Sequence, residues 1–465
     1  MKKLLLFSIG FFICFSGFSN QKQKVSLLIK NGLVLTMNKN HDVIDNGVVV
    51  IKGNKIIDVG NKKIANKYLP KETIDAQNGI VMPGMINAHT HAGMSIFRSV
   101  GDDVADRLTR YLFPLEAKLV SPKLVYDATL HSAIEMVKGG VTTMVDMYYF
   151  EDYAAKAVKK IGMRGIMGET IMMNPTPDSK QPYGGIDYAN SKLIPKYKDD
   201  ELITPAYAPH ATYTNDSKHL KEIEKLSKQN NVPIIIHLAE TKAESEKYKK
   251  EYNKTPVEYL DSIGLLSDRL IAAHCIFVNE NDIKLLKKNN VGVSHNVIAN
   301  IKSAKGIAPA LEMYNQGVDI GLGTDGPMSS NTLDIINQMS YVATMQKLKH
   351  SDRTVMPAET VVDMATIGGA KAIHMDDKLG SIEKDKLADI VIVETKSTNM
   401  NPIYNPYSVL VYSASPSNVD TTIVNGKVLM KNKKLLTYNE QKDREIVKSY
   451  AKKVDSVVTE MDSKL

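Results

Sequence analysis

The sequence predicts an α/β protein: a (β/α)8 barrel of the TIM type, with a small β-sandwich built from both chain ends. Three observations carry this. Between residues 80 and 323, eight short apolar runs alternate with helical patterns. Both ends of the chain show closely spaced strands with turn residues between them. Six of the eleven histidines fall where the apolar runs end, and a barrel gathers its chemistry at strand C-termini. The 465 residues suffice for one large barrel and a smaller domain. The alternative, an open doubly wound sheet, lacks a Gly-rich dinucleotide or phosphate-loop fingerprint after the first strand.

The expected order is a signal peptide over 1–19, the N-terminal share of the sandwich over 20–82, and the barrel over 83–379. The C-terminal share of the sandwich follows over 380–437, and a charged terminal helix over 438–465. Met1-Lys2-Lys3 is a basic start, Leu4 to Phe15 is apolar, and Gly17 and Ser19 suit cleavage after Ser19. The apolar run is short for a membrane span, so no stable span is expected after cleavage, and the chain reads as exported, periplasmic or secreted. Cleavage would leave Cys275 as the one cysteine, which excludes an intrachain disulfide. In the N-terminal share, Val25–Ile29, Leu33–Leu35, Gly47–Ile51 and Lys55–Val59 read as strands, with Asn31-Gly32 and Gly53-Asn54 as turns. In the C-terminal share, Ala388–Val393 and Thr421–Leu429 read as strands, the latter with an Asn425-Gly426 turn.

The barrel strands are expected at Ile80–Ala88, Val141–Asp146, Arg164–Glu169, Thr204–Pro209, Pro233–Leu238, Leu270–Ala273, Val291–Ser294 and Val318–Gly323. Charge adds little. The formal +7, or +5 without Lys2 and Lys3, is interspersed with acids, so no nucleic-acid partner is expected. A small molecule is the expected partner, and a homo-oligomer is compatible with the sequence.

The strand ends are informative. His89 and His91 are one residue apart, and in extended chain i and i+2 share a face, so both can meet one ion. Later strands end in His210, His237 with Glu240, His274, His295, and Asp325. Burying so many imidazoles beside two carboxylates is costly unless an ion or substrate satisfies them. Three nitrogens and a carboxylate, with room for water, describe a catalytic metal site. His41, His131, His219, His350 and His374 lie in helical or loop surroundings and read as structural or surface residues.

With these residues in hand, the chain resembles the amidohydrolase superfamily. The likeness is to its branch of S-adenosylhomocysteine/5′-methylthioadenosine deaminases and chlorotriazine hydrolases. The motifs are Pro83-Gly84-Met85-Ile86-Asn87-Ala88-His89-Thr90-His91, His237-Leu238-Ala239-Glu240-Thr241, Ala273-His274-Cys275, Ser294-His295-Asn296, Gly306-Ile307-Ala308-Pro309 and Gly323-Thr324-Asp325-Gly326. The resemblance implies a metal-dependent hydrolase barrel that deaminates a purine-like heterocycle such as 5′-methylthioadenosine, adenosine or S-adenosylhomocysteine. It implies that His89, His91, His237 and Asp325 bind one divalent metal ion, zinc first, with iron or manganese as alternatives. Catalysis would fall to Glu240 as proton shuttle, with His274 bonded to the attacking water and Asp325 orienting it. Substrate would meet Glu116, His210, Glu240 and His295: Glu116 at the ribose, His210 at the base, His295 as pocket wall or supporting donor. Glu116 is promoted by the resemblance alone. His210 ends the strand where binuclear members carry a carboxylated lysine, which favours one metal.

One feature departs from the pattern. Glu169 stands where the S-adenosylhomocysteine branch would place a carboxylate-binding arginine, and the loop from Asn174 to Lys192 contains no arginine. Two other readings compete with deamination. One is hydrolysis of a cyclic amide or other C–N bond, which would yield a carboxylate instead of ammonia. The other is an exported binding protein with a dead site, which would hold metal without turnover.

Overall fold

The computed structural model describes residues 21–463; the expected signal segment lies outside them. Eight parallel strands form the central sheet: Met85–Thr90, Val141–Tyr148, Arg164–Ile171, Ile203–Pro209, Ile234–Leu238, Leu270–His274, Gly292–His295 and Ile320–Leu322. Each pairs in parallel with the next in chain order. The ring closes where the Thr324 and Asp325 N–H groups donate to the His89 carbonyl at 3.1 and 3.0 Å. The last strand's functional end is thereby fixed against the first's.

The strands form because their residues are apolar on both faces. Ile234-Ile235-Ile236 and Leu270-Ile271-Ala272-Ala273 are wholly buried, as a parallel strand between barrel interior and helix layer must be. The intervening helices are amphipathic. Ser217–Asn230 starts at Asp216, whose side chain accepts the His219 N–H, and buries Leu220, Ile223 and Ser227 on one face. It stops at Asn231, which takes a left-handed φ of 53°.

Both chain ends share one nine-stranded sheet, rather than two separate ones. Its long first strand, Gln23–Leu35, pairs with Val43–Lys52 and runs parallel to Tyr68–Asp75 and Ile80–Pro83. Ile80–Pro83 then pairs antiparallel with Ile390–Val393, bringing in the C-terminal strands Val419–Val424 and Lys427–Lys431. The expected single strand Ile80–Ala88 is therefore split. Ile80–Pro83 belongs to this sheet and Met85–Thr90 to the barrel, with Gly84 between them. A Cβ on Gly84 would lie 2.1 Å from Thr142 Oγ1, so only glycine lets the chain pass from one sheet to the other. A buried bidentate pair ties the two bodies: Arg164 Nε and Nη2 donate to Asp389 at 3.0 and 3.2 Å.

The terminal helix, Glu440–Asp462, packs on the barrel helix Pro122–Lys138, with Tyr450 Oη donating to Asp127 at 2.9 Å. Among the described residues, no helix is long and apolar enough to cross a membrane.

Candidate metal centre and active site

The strand ends converge as a barrel requires. His237 Nε2 lies 3.2 Å from Nε2 of both His89 and His91. Asp325 Oδ1 is 3.2 Å from His91 Nε2 and 3.9 Å from His89 Nε2. One ligand atom from each of His89, His237, His274 and Asp325 can be chosen so that all lie within 4.8 Å of one another. Ala239, His274 and Asp325 all take left-handed φ values, 49°, 77° and 60°. L-residues avoid this region, and such strain is characteristic of functional strand ends.

The donors fit a cation. His91 Nδ1 bonds the Met147 carbonyl and His237 Nδ1 bonds the His210 carbonyl, both at 2.6 Å. Those bonds place the Nδ1 protons and turn the Nε2 lone pairs inward, where they face one another unless a cation sits between them. His274 is set the same way by Asn300 Oδ1 at 2.7 Å, and its buried Nε2 has no hydrogen-bond partner. The electrostatics agree. Burial and the neighbouring imidazoles push His89 and His237 well below the ordinary range. Burial would lower His91 too, but Asp325 beside it lifts it to about 9. The cluster attracts positive charge at its centre, and three imidazoles with one carboxylate suit a borderline transition metal.

Glu240 stands beside this centre, its Oε1 3.6 Å from His274 Nε2 and 2.5 Å from Lys305 Nζ. Burial would raise its carboxyl, but His274 and Lys305 outweigh that and hold it at about 2. These groups open into a cavity of about 420 Å³, large enough for a nucleoside-sized ligand. A groove of about 620 Å³ beside the terminal helix is larger, but no strand-end residue lines it.

Glu116 and His210 both line the cavity. Glu116 is on the helix Phe113–Leu119 and accepts the Tyr148 hydroxyl at 2.8 Å; burial raises its carboxyl to about 7. Burial, then His91, lowers His210 to about 4. His295 stands apart. It is fully buried, both ring nitrogens lack partners, and it is not among the cavity-lining residues. Burial, then His274 and Lys349, lower it to about 4. Glu169 is also absent from the cavity wall: it is fully buried, and its Oε2 accepts the Glu151 N–H at 3.0 Å. His41, His131, His219 and His350 each lie beside a carboxylate outside the cavity.

Sequence reasoning missed two cavity cations, Arg107 and Lys305. Arg107 donates to the Met328 carbonyl at 2.7 Å. Lys305 is in a loop, and Arg107 caps the short helix Leu108–Leu112; neither stretch has a clear periodicity. The one available signal was a lone cation before Gly306 in the loop after the seventh strand.

Fold and site together define a hydrolase barrel whose strand ends gather a His/Asp group that could hold a metal ion. Residues 80–429 match the amidohydrolase family, and the chain belongs to that family. It is 37% identical over 435 residues to the 5-methylthioadenosine/S-adenosylhomocysteine deaminase 1 of Syntrophus aciditrophicus (strain SB), covering 93% of this chain and 98% of the relative. It is 36% identical over 442 residues to the 5′-deoxyadenosine deaminase of Methanococcoides burtonii, covering 94% and 99%. Among solved structures, an adenosine deaminase from Xanthomonas campestris with bound zinc superposes with a TM-score of 0.91. It shares 30% identity and covers 94% of this chain and 100% of its own.

Proposed function

We propose that this amidohydrolase releases ammonia from the purine ring of an adenosine with a small apolar 5′ group, using one zinc ion. The chain is a hydrolytic deaminase. The observation that carries the reading is the convergence of three inward Nε2 atoms and Asp325 beside Glu240, at the end of a nucleoside-sized cavity. His89, His91, His237 and Asp325 would hold the zinc, and the relative with bound zinc supports that metal. A bound zinc ion supplies Lewis acidity, which lowers the pKa of a water from about 16 towards 7.

The remaining work belongs to side chains. Asp325 and His274 flank the attacking water and orient it. Glu240 takes a proton from that water and delivers it to the ring nitrogen next to the amino-bearing carbon, which makes that carbon electrophilic. The water oxygen bonds to that carbon; Glu240 then takes the remaining hydroxyl proton and passes it to the amine, whose C–N bond breaks to release ammonia. His210 meets the base, and Glu116 accepts ribose hydroxyls from the opposite wall.

The 5′ group follows from what the cavity lacks. S-adenosylhomocysteine needs a partner for its carboxylate. Glu169 is buried outside the cavity, Lys305 is paired with Glu240, and Arg107 donates to the Met328 carbonyl and has Asp102 as its carboxylate at 3.9 Å. Met94, Leu112, Met147, Met172 and Met328 offer an apolar lining instead. Methylthioadenosine and 5′-deoxyadenosine are the substrates of choice; both occur in the relatives' names, and that of the Syntrophus relative also carries S-adenosylhomocysteine. An ammonia-release screen over these two, adenosine, S-adenosylhomocysteine, guanine and pterins tests this, with zinc measured on the same sample. The expected order puts the two apolar nucleosides first; S-adenosylhomocysteine at the top would refute the specificity. Export is proposed from the N-terminal signal pattern, and N-terminal sequencing of the extracytoplasmic fraction should find a chain starting at Asn20.

A further inference from the structure

Lys305 belongs to the loop between the helices Val297–Lys302 and Ala310–Asn315. That loop follows the seventh strand and overhangs the mouth of the barrel. Lys305 lines the catalytic cavity, and its Nζ lies 2.5 Å from Glu240 Oε1. The two side chains are 29% and 12% exposed, so the contact is shielded and stronger than a surface ion pair. His274 approaches the same oxygen. Among the described residues, none donates to Oε2.

Glu240 is anchored elsewhere only through its backbone. Its N–H donates to Glu244 Oε2 at 2.9 Å, and Glu244 in turn accepts the Thr212 hydroxyl at 2.6 Å. That fixes the main chain and leaves three side-chain torsions free. A carboxylate that moves protons must be held within a fraction of an ångström of its partners, and Lys305 is its one strong donor.

We propose that Lys305 is a positioning residue for the deamination: its ammonium pins Oε1 of Glu240 and leaves Oε2 for the substrate's ring nitrogen. The inference rests on the reading of Glu240 as proton carrier. An ammonium serves better than a neutral donor. Its attraction is strongest while Glu240 is anionic and weakens once the carboxyl is protonated, so the anion returns to one place in each cycle.

Three variants of the metal-loaded enzyme test this in steady-state kinetics. Lys305→Met keeps the chain length and removes the donor. Its kcat should fall about 10- to 100-fold, with KM within about threefold of wild type and zinc content unchanged. Lys305→Arg should recover most of the lost kcat. In a Glu240→Gln background, adding Lys305→Met should change the residual rate less than about twofold, because the lysine acts through that carboxylate. An inactive Glu240→Gln beside a fully active Lys305→Met overturns this inference alone. A raised KM at unchanged kcat overturns it too, by making Lys305 a substrate contact. So does a loss that arginine does not rescue and that adds fully to Glu240→Gln. A fully active Glu240→Gln overturns the underlying reading instead.

Discussion

Glu169→Gln should stabilise the protein increasingly as pH rises, with almost no effect below about pH 4. The carboxyl is fully buried at the end of the third barrel strand. Oε2 accepts the Glu151 N–H, while the buried Oε1 has no donor. Burial, then Asp178 and Glu151, push the carboxyl well above its ordinary 4.5. The folded protein therefore keeps a proton that the unfolded chain has already lost. In that window the native state binds one proton more than the unfolded state, so stability falls as pH rises, by about 1.4 kcal/mol per pH unit. Below the ordinary carboxyl range both states are protonated and the cost vanishes. Glutamine has the same shape and never ionises; its carbonyl can keep the Glu151 N–H, and its amide can donate towards Asp178. The variant's advantage should grow between pH 5 and pH 7, by at most about 1.4 kcal/mol per pH unit. Thermal midpoints of the two proteins, compared across that range, measure it. A constant offset at every pH, or a deficit that widens as pH rises, would refute the reasoning. Turnover should stay within about twofold, because Glu169 does not line the cavity.

Three further outcomes follow from the same structure. Arg164→Met strands the buried Asp389 and should cost about 3–5 kcal/mol in chemical unfolding; a loss below about 1 kcal/mol would show that the pair does not join the barrel to the end sheet. His91 is held at about 9 by Asp325 in the metal-free protein and must be neutral to ligate. Zinc titrated into apo-protein in weak buffer should therefore still release close to one proton at about pH 6.5, where a bound water stays largely protonated, and no release there would contradict the assignment. Glu116 ionises at about 7, so nucleoside KM should fall as pH rises through 7 and the carboxylate forms. In Glu116→Gln that dependence should disappear, and its persistence would remove Glu116 from the ribose.

How much of this was legible in the sequence depends on which physics fixed each residue. Six strand-end histidines and Asp325 could be read because apolar runs announce barrel strands, and the barrel geometry gathers their ends. The split at Gly84 was invisible: Ile80 to Ala88 is one apolar run, and only Thr142 and Asp389, distant in sequence, show that it serves two sheets. His295 carries the same strand-end signal as His274, but it does not line the cavity. Strand position alone does not say which way a terminal side chain leaves the barrel. Glu116 had no local signal and came from the resemblance. Asn300 had none either, and Lys305 only its place before Gly306, since each acts through a partner from another strand, Glu240 or His274.

The central claim is that Glu240 moves the proton at a metal centre it does not itself hold together. Purified Glu240→Gln, assayed for ammonia release from methylthioadenosine with zinc measured on the same sample, tests it most directly. The expected result is a full zinc complement with kcat reduced at least about 100-fold. A variant that keeps both its zinc and the wild-type rate would contradict it.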